Sequence, residues 1–118
     1  MIDLTSNKLR RIDNRTFEGL EQLKGISLNE NPLDEYIEKS VLDRFGQSVT
    51  NLALRKIQAN PSDFINFSSF ELLYLLDVSF TQFRIDKDTF ESFANTLQYL
   101  YLNGVGMRDL SFLHMDKM

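Results

Sequence analysis

The sequence predicts an α/β solenoid, a single array of about five repeats over residues 1–118 with a short parallel β-sheet on one face and helical or irregular returns on the other. Three observations carry that prediction. Ile2, Ile26, Leu52, Leu76 and Leu100 recur at intervals of 24, 26, 24 and 24 residues, each followed two residues later by Leu4, Leu28, Leu54, Val78 and Leu102. In the last four repeats another apolar residue, Leu23, Val49, Leu73 or Leu97, stands three positions earlier. Finally, Arg11-Ile12-Asp13-Asn14-Arg15-Thr16-Phe17-Glu18 recurs as Arg84-Ile85-Asp86-Lys87-Asp88-Thr89-Phe90-Glu91, with six of eight positions identical.

Strands are expected near 2–4, 26–28, 52–54, 76–78 and 100–102. In an apolar-x-apolar triplet the flanking side chains point to one face and the middle one to the other, so one face is core and the other open. Five residues after the first apolar position come Asn7 and Asn31, where a buried amide can bond the backbone of its own turn and of the neighbouring repeat. Leu9 and Leu33 follow. Ile57, Thr81 and Val105 fill the asparagine position in the later repeats, where threonine keeps one hydrogen bond and the other two keep none.

The returns carry two apolar rows, Phe17, Leu42, Phe67, Phe90 and Leu20, Phe45, Phe70, Phe93, expected to stack as a spine on the convex side. The second repeat is two residues longer than the others. Its segment Asp34 to Phe45 places Ile37, Val41, Leu42 and Phe45 on one helical face, with Asp34 as N-cap and Gly46 as the stop, which predicts a helical return. Neither end carries a recognisable polar cap. The chain is therefore expected to be a fragment of a longer array, or to borrow a neighbour, with further repeats touching both ends.

The spacing L-x-x-L-x-L-x-x-N-x-L, set in a beat of about 24 residues that ends in Ile and Phe, resembles the leucine-rich-repeat family in its typical class. The resemblance covers essentially the whole chain. It implies a horseshoe, a right-handed β-α superhelix whose sheet lines the concave face, and a protein-binding module of an extracellular or cell-surface receptor or matrix protein. The alternatives within the same fold are an intracellular scaffold or regulatory subunit, and the recruiting part of a larger receptor kinase or ubiquitin ligase.

Composition narrows the partner. Seventeen acidic and thirteen basic residues leave a net charge of −4, the wrong sign for neutralising phosphates, so nucleic acid is not the expected partner. No apolar stretch reaches the roughly 18 to 20 residues of a membrane span, and residues 1–11 include Asp3, Asn7, Lys8 and Arg10 in place of a signal core. No cysteine is present, which removes thiolate zinc sites, cysteine nucleophiles and disulfides.

Chemistry-bearing constellations are equally sparse. The one histidine, His114, has no companion ligand and stands in the last, incomplete repeat. Asp86 and Asp88 have the gap of a calcium loop without its glycine or distant glutamate, and Gly104-Val105-Gly106 lacks the third glycine of a dinucleotide loop, where Asp109 stands. Glu30, Asp34, Glu35 and Glu38 read as a solvated helix start. No enzyme, cofactor or metal is expected.

Binding is expected on the open face of the sheet. Its rows change from small polar groups at one end to aromatic ones at the other, and Asn29, Arg55, Leu75, Asp77, Phe80, Tyr99, Tyr101 and Asn103 are the expected contacts with a protein ligand or receptor partner. Two sequons, Asn14-Arg15-Thr16 and Asn66-Phe67-Ser68, fall in the returns, away from that face, where Asn14 and Asn66 could carry glycans.

Overall fold

The structure, a computed structural model, describes residues 1–20, 22–39, 41–81 and 91–104. Each apolar-x-apolar triplet forms a short strand, and two further strands lie in the returns. In chain order these are β1 (Ile2–Asp3), β2 (Arg11–Ile12), β3 (Gly25–Ser27), β4 (Tyr36–Ile37), β5 (Asn51–Ala53), β6 (Leu75–Asp77) and β7 (Tyr99–Tyr101). Five of them make a parallel sheet in the order β1-β3-β5-β6-β7, and β2 and β4 make a second, two-stranded parallel sheet. Ile2 pairs with Ile26, Ile26 with Leu52, Leu52 with Leu76 and Leu76 with Leu100.

The large sheet is longer than its strands suggest. Past β1, the N–H groups of Leu4 and Ser6 donate to Ser27 O and Asn29 O at 2.8 and 2.9 Å. The same two bonds recur from Leu28 and Glu30 to Ala53 and Arg55, from Leu54 and Lys56 to Asp77 and Ser79, and from Val78 and Phe80 to Tyr101 and Asn103. The chain then turns out of the sheet through a left-handed residue in every repeat: Ser6 at φ 59°, Glu30 at 59°, Lys56 at 59°, Phe80 at 58° and Gly104 at 69°. Only the last is glycine. At the four others a side chain is held in a region that costs about 1–2 kcal/mol, and the paired backbone on both sides keeps it there.

On the inner face of the sheet Ile26, Leu28, Leu52, Leu54, Leu76 and Val78 are fully buried, and from the returns Phe17, Leu42, Phe45, Phe70 and Phe93 close over them. Each such side chain contributes about 1.5–3 kcal/mol by leaving water. Phe17 meets Phe45 edge to face at 5.8 Å, while Phe67 packs against Phe70 at 6.5 Å and Phe93 at 6.4 Å. The aromatic packing therefore crosses between the two expected rows. Leu20, expected in the second of them, is exposed, because its N–H closes a turn on Phe17 O and the chain leaves the core there. Phe90 lies outside the described residues.

Side chains satisfy the carbonyls of the returns. Arg44 Nη2 donates to Phe17 O, Ser48 Oγ to Leu23 O, Ser92 Oγ to both Phe67 O and Phe70 O, and Thr96 Oγ1 to Leu73 O, all between 2.7 and 3.0 Å. This matters because, among the described residues, the helical parts of the returns are single 3-10 turns, at Asp43–Phe45, Pro61–Asp63, Phe67–Ser69 and Glu91–Phe93, which leave most of their backbone groups without internal partners.

The helical return over Asp34 to Phe45 is not formed. Tyr36 and Ile37 pair with Arg11 and Ile12 as a strand, and the N–H groups of Glu35 and Glu38 donate to Arg10 O and Ile12 O instead of to a helix of their own. Aromatic and β-branched side chains favour that outcome. Asp34 is drawn into a bidentate pair with Arg10, at 2.7 and 3.0 Å, and caps nothing. Gly46 ends only the single 3-10 turn Asp43–Phe45, its N–H donating to Asp43 O with φ at −60°, and a Cβ there would run into the Ser69 carbonyl of the next repeat.

The asparagines also divide. Asn31 is buried, its Oδ1 accepts from Asn7 N at 3.0 Å and Leu9 N at 2.8 Å, and its Nδ2 donates to Leu4 O and Leu28 O at 2.7 and 3.1 Å. It stitches its own turn to the preceding one. Asn7, expected to be buried likewise, is exposed and reaches only Thr5 O at 3.4 Å, because it stands in the first of the five turns. Thr81 keeps one of the Asn31 bonds, donating to Val78 O at 2.7 Å.

Candidate functional site

The outer face of the large sheet presents a run of apolar groups to solvent, besides Leu20 and Tyr36 in the returns. On a parallel sheet the same position in successive repeats forms a row, with neighbours about 4.8 Å apart. The row before each central apolar residue reads Gly25, Asn51, Leu75, Tyr99, and the row after it Asp3, Ser27, Ala53, Asp77, Tyr101. From β3 onward exposure rises along both, while Asp3 in the first strand is exposed. Gly25 and Ser27 are buried, Asn51, Ala53, Leu75 and Asp77 half-buried, and Tyr99 and Tyr101 exposed at 47% and 43%.

Physical reasons account for the quiet end. A Cβ on Gly25 would lie 3.2 Å from the Met1 side chain, which covers it, and Ser27 Oγ is bonded to Thr5 Oγ1 at 2.8 Å. Several polar side chains in the middle are also committed to their own turns. Asp77 Oδ1 accepts from Ser79 N at 2.9 Å, as Asp3 Oδ1 does from Thr5 N at 3.0 Å. The Thr5 hydrogen bonds hold the Asp3 carboxyl below its ordinary value. Asn29 Oδ1 accepts from Arg55 N at 2.7 Å. The structure thus gives Asn29 and Asp77 a structural task on the face where partner contacts are expected.

The other end carries exposed aromatic and cationic side chains. Phe80, in its left-handed turn, is exposed at 47%, and the Arg55 guanidinium lies 5.2 Å and the Lys56 ammonium 5.7 Å from its ring centroid. Gly104 makes room for that ring, because a Cβ there would fall 2.5 Å from it. Asn103 is exposed beside it, with its N–H on Ser79 Oγ at 3.1 Å and its carbonyl on Phe80 N at 2.7 Å.

Tyr74 belongs to this surface and sequence reasoning missed it. It is exposed at 45% and meets Tyr99 edge to face at 5.3 Å. Its carbonyl accepts from both Gln98 N and Tyr99 N, as Thr50 O does from Tyr74 and Leu75 and Lys24 O from Thr50 and Asn51. This doubled bond marks an irregularity at the start of each strand, and it sets Tyr74 on the edge of the open face. The signal was available in the sequence: the position two before the central apolar residue reads Lys24, Thr50, Tyr74, Gln98, an outward column interrupted by one aromatic. Lys56, in its left-handed turn, also joins this surface without having been singled out from the sequence.

Both sequon asparagines are exposed. Asn14 lies in a turn closed by Asp13 N on Thr16 Oγ1 at 2.9 Å, and Asn66 caps the Phe67–Ser69 turn, its Oδ1 accepting from Ser68 N and Ser68 Oγ at 3.2 and 2.6 Å. Asp86, Asp88, His114 and the Val105-Gly106 part of the glycine pair lie outside the described residues. Among the described residues, no three acidic or histidine side chains converge as a metal site, and no helix is long and apolar enough to cross a membrane. The acidic group around 30–38 is put to use in pairing: besides Asp34, Glu35 lies 3.4 Å from Arg10, and one Glu38 oxygen is buried without a partner. Comparison with protein-family models and with curated proteins returns no match to this chain.

Proposed function

We propose that this chain is a leucine-rich-repeat module that binds a protein partner through the outer face of its five-stranded sheet, and that it acts by recognition without catalysing a reaction. The observation that carries the reading is the run of exposed aromatic side chains, Tyr74, Tyr99, Tyr101 and Phe80, on hydrogen-bonded backbone at one end of that face. Tyrosines so held offer large apolar area and a polar tip with little rotamer freedom to lose, which is the composition of binding hot spots. Backbone fixed in advance lowers the ordering cost of association.

The repeat class supports an extracellular or cell-surface setting, and the exposed sequons Asn14 and Asn66 suit it. Two measurements test the reading. A photo-crosslinking amino acid at Tyr101 should capture a protein partner in the source tissue, while the same group at Leu20 in a return should not; equal capture at both would move the site off the sheet. The intact mass of the native polypeptide should fall on enzymatic removal of N-glycans, and an unchanged mass would place the module in a compartment without them.

A further inference from the structure

We propose that the partner presents an acidic segment to this sheet, its carboxylates meeting Arg55 and Lys56 and its apolar side chains resting on Tyr99 and Tyr101. The proposal rests on the reading of the sheet as a protein-binding face and adds the chemistry of what it binds. It starts from the distribution of cations. Arg10 is held by Asp34 and Glu35, and Arg44 donates to the Phe17 carbonyl and lies 4.7 Å over the Phe45 ring. Lys8, Arg11, Arg15, Lys24 and Lys39 are exposed and outside any ion pair among the described residues, and what sets Arg55 and Lys56 apart is that both lie against one exposed ring beside the sheet. Among the described residues neither forms an ion pair, and both are exposed on the face that carries the aromatic groups.

Their geometry points the same way. Adjacent residues would ordinarily send two flexible cationic side chains apart, yet both heads lie over the ring of Phe80. The ring quadrupole attracts each cation, while the two charges repel one another. A carboxylate bound beside either head relieves that repulsion. Phe80 reaches this position through a left-handed backbone, at φ 58°, and through the space left by Gly104. The same left-handed turn recurs at Ser6, Glu30 and Lys56, so it is the repeat that sets the ring in this place.

Charge complementarity selects the class of partner. The whole chain carries −4, so a paired cationic spot on it is a local reversal of sign that steers an acidic group to one place. Two carboxylates stand near it: Asp77 in the neighbouring row, whose Oδ1 is occupied by the Ser79 N–H, and Glu30 before Lys56 in the turn column, whose Oε2 accepts from Ser6 Oγ at 3.2 Å. Nucleic acid would need a cationic track longer than two residues and would meet the net negative charge elsewhere, so a protein segment is favoured.

The test pans a displayed random-peptide library against the full chain, then measures the affinity of synthesised winners. Winners should be rich in Asp and Glu beside apolar residues, and their binding should weaken with added salt. Arg55→Glu with Lys56→Glu should cost at least about tenfold in affinity, and Arg55→Gln with Lys56→Gln, which keeps most of the aliphatic stems, should lose the salt dependence. Arg15→Glu in a return is the charge control and should bind as the unaltered chain does. Thermal unfolding of each variant separates lost contact from lost fold.

Winners without an acidic bias overturn the proposal. So does full affinity in both double variants at Arg55 and Lys56; if Tyr99→Ala with Tyr101→Ala then abolishes binding, the protein-binding face survives and only its acidic preference falls. Binding indifferent to both pairs, or a library that yields no winner, overturns the two readings together. A polyuridine oligonucleotide bound more tightly than any winner would replace the peptide with nucleic acid.

Discussion

Tyr74 and Tyr99 meet edge to face across the seam between two repeats, their ring centroids 5.3 Å apart and their planes at 66°. Hydrogen bonding between the side chains holds the Tyr74 phenol above its ordinary value of 10.0. Because the folded state keeps this proton more tightly than the unfolded chain does, the contact contributes below pH 10 and is lost as pH rises through the raised value. A phenolate absorbance titration should therefore show one tyrosine ionising late. In Tyr99→Phe that late step should move back toward the others, and an unchanged titration would deny the bond.

Asn31 should be the costliest polar residue to remove. Its amide serves Asn7 N, Leu9 N, Leu4 O and Leu28 O, groups in two adjacent turns, and each one left buried and unpaired costs about 1–3 kcal/mol. Urea unfolding of Asn31→Ala should show a loss of roughly 3 kcal/mol or more, whereas Asn7→Ala, on the surface, should stay within about 0.5 kcal/mol. Equal losses would show that the two amides are equivalent after all.

The left-handed turn column gives a prediction with two signs. Glu30→Gly should stabilise by about 0.5–1 kcal/mol, since glycine accepts φ 59° without the penalty a side chain meets and gives part of that gain back in unfolded-state entropy. Gly104→Ala should destabilise by about 2 kcal/mol, combining the same penalty with a collision against the Phe80 ring. Thermal melts decide both, and a stable Gly104→Ala would mean that the ring moves freely.

Arg10 holds the Asp34 carboxyl below its ordinary value of 3.8, chiefly through their hydrogen bonds. A carboxyl whose folded value is lowered contributes above pH 3.8 and loses that contribution as pH falls through the lowered value. Nuclear magnetic resonance titration should give Asp34 a midpoint under 3.8, returning toward it in Arg10→Gln. Both groups are exposed, so the effect on global stability should be slight.

The central residues of the sheet were legible because two kinds of signal agree there. The alignment of Ile2, Ile26, Leu52, Leu76 and Leu100 in the sequence coincides with the register of the strands, since one period carries both the burial of these residues and their pairing. The returns were less legible. A helical spacing of apolar residues over Ile37, Val41, Leu42 and Phe45 is met equally by a strand followed by a tight turn, and only the carbonyls of Arg10 and Ile12, two dozen residues away, decide between them. On the candidate site, exposure of Tyr99 and Tyr101 followed from strand alternation, but the gathering of Arg55 and Lys56 over Phe80 depends on left-handed turns that no residue type in four of the five repeats announces.

The small sheet of β2 and β4 lends the array an asymmetry of durability. Leu33, Glu35 and Glu38 donate to Leu9, Arg10 and Ile12 along a second seam, so the first two repeats are sewn together on two sides, with Asn31 between the seams. Among the described residues this seam reaches the third repeat only through Gln58 N on Pro32 O. Opening of the first pair must break both seams at once, and its amide protons should exchange slowly with solvent. The doubly sewn pair is then the anchor of the array, the part whose shape outlasts the loss of either seam alone.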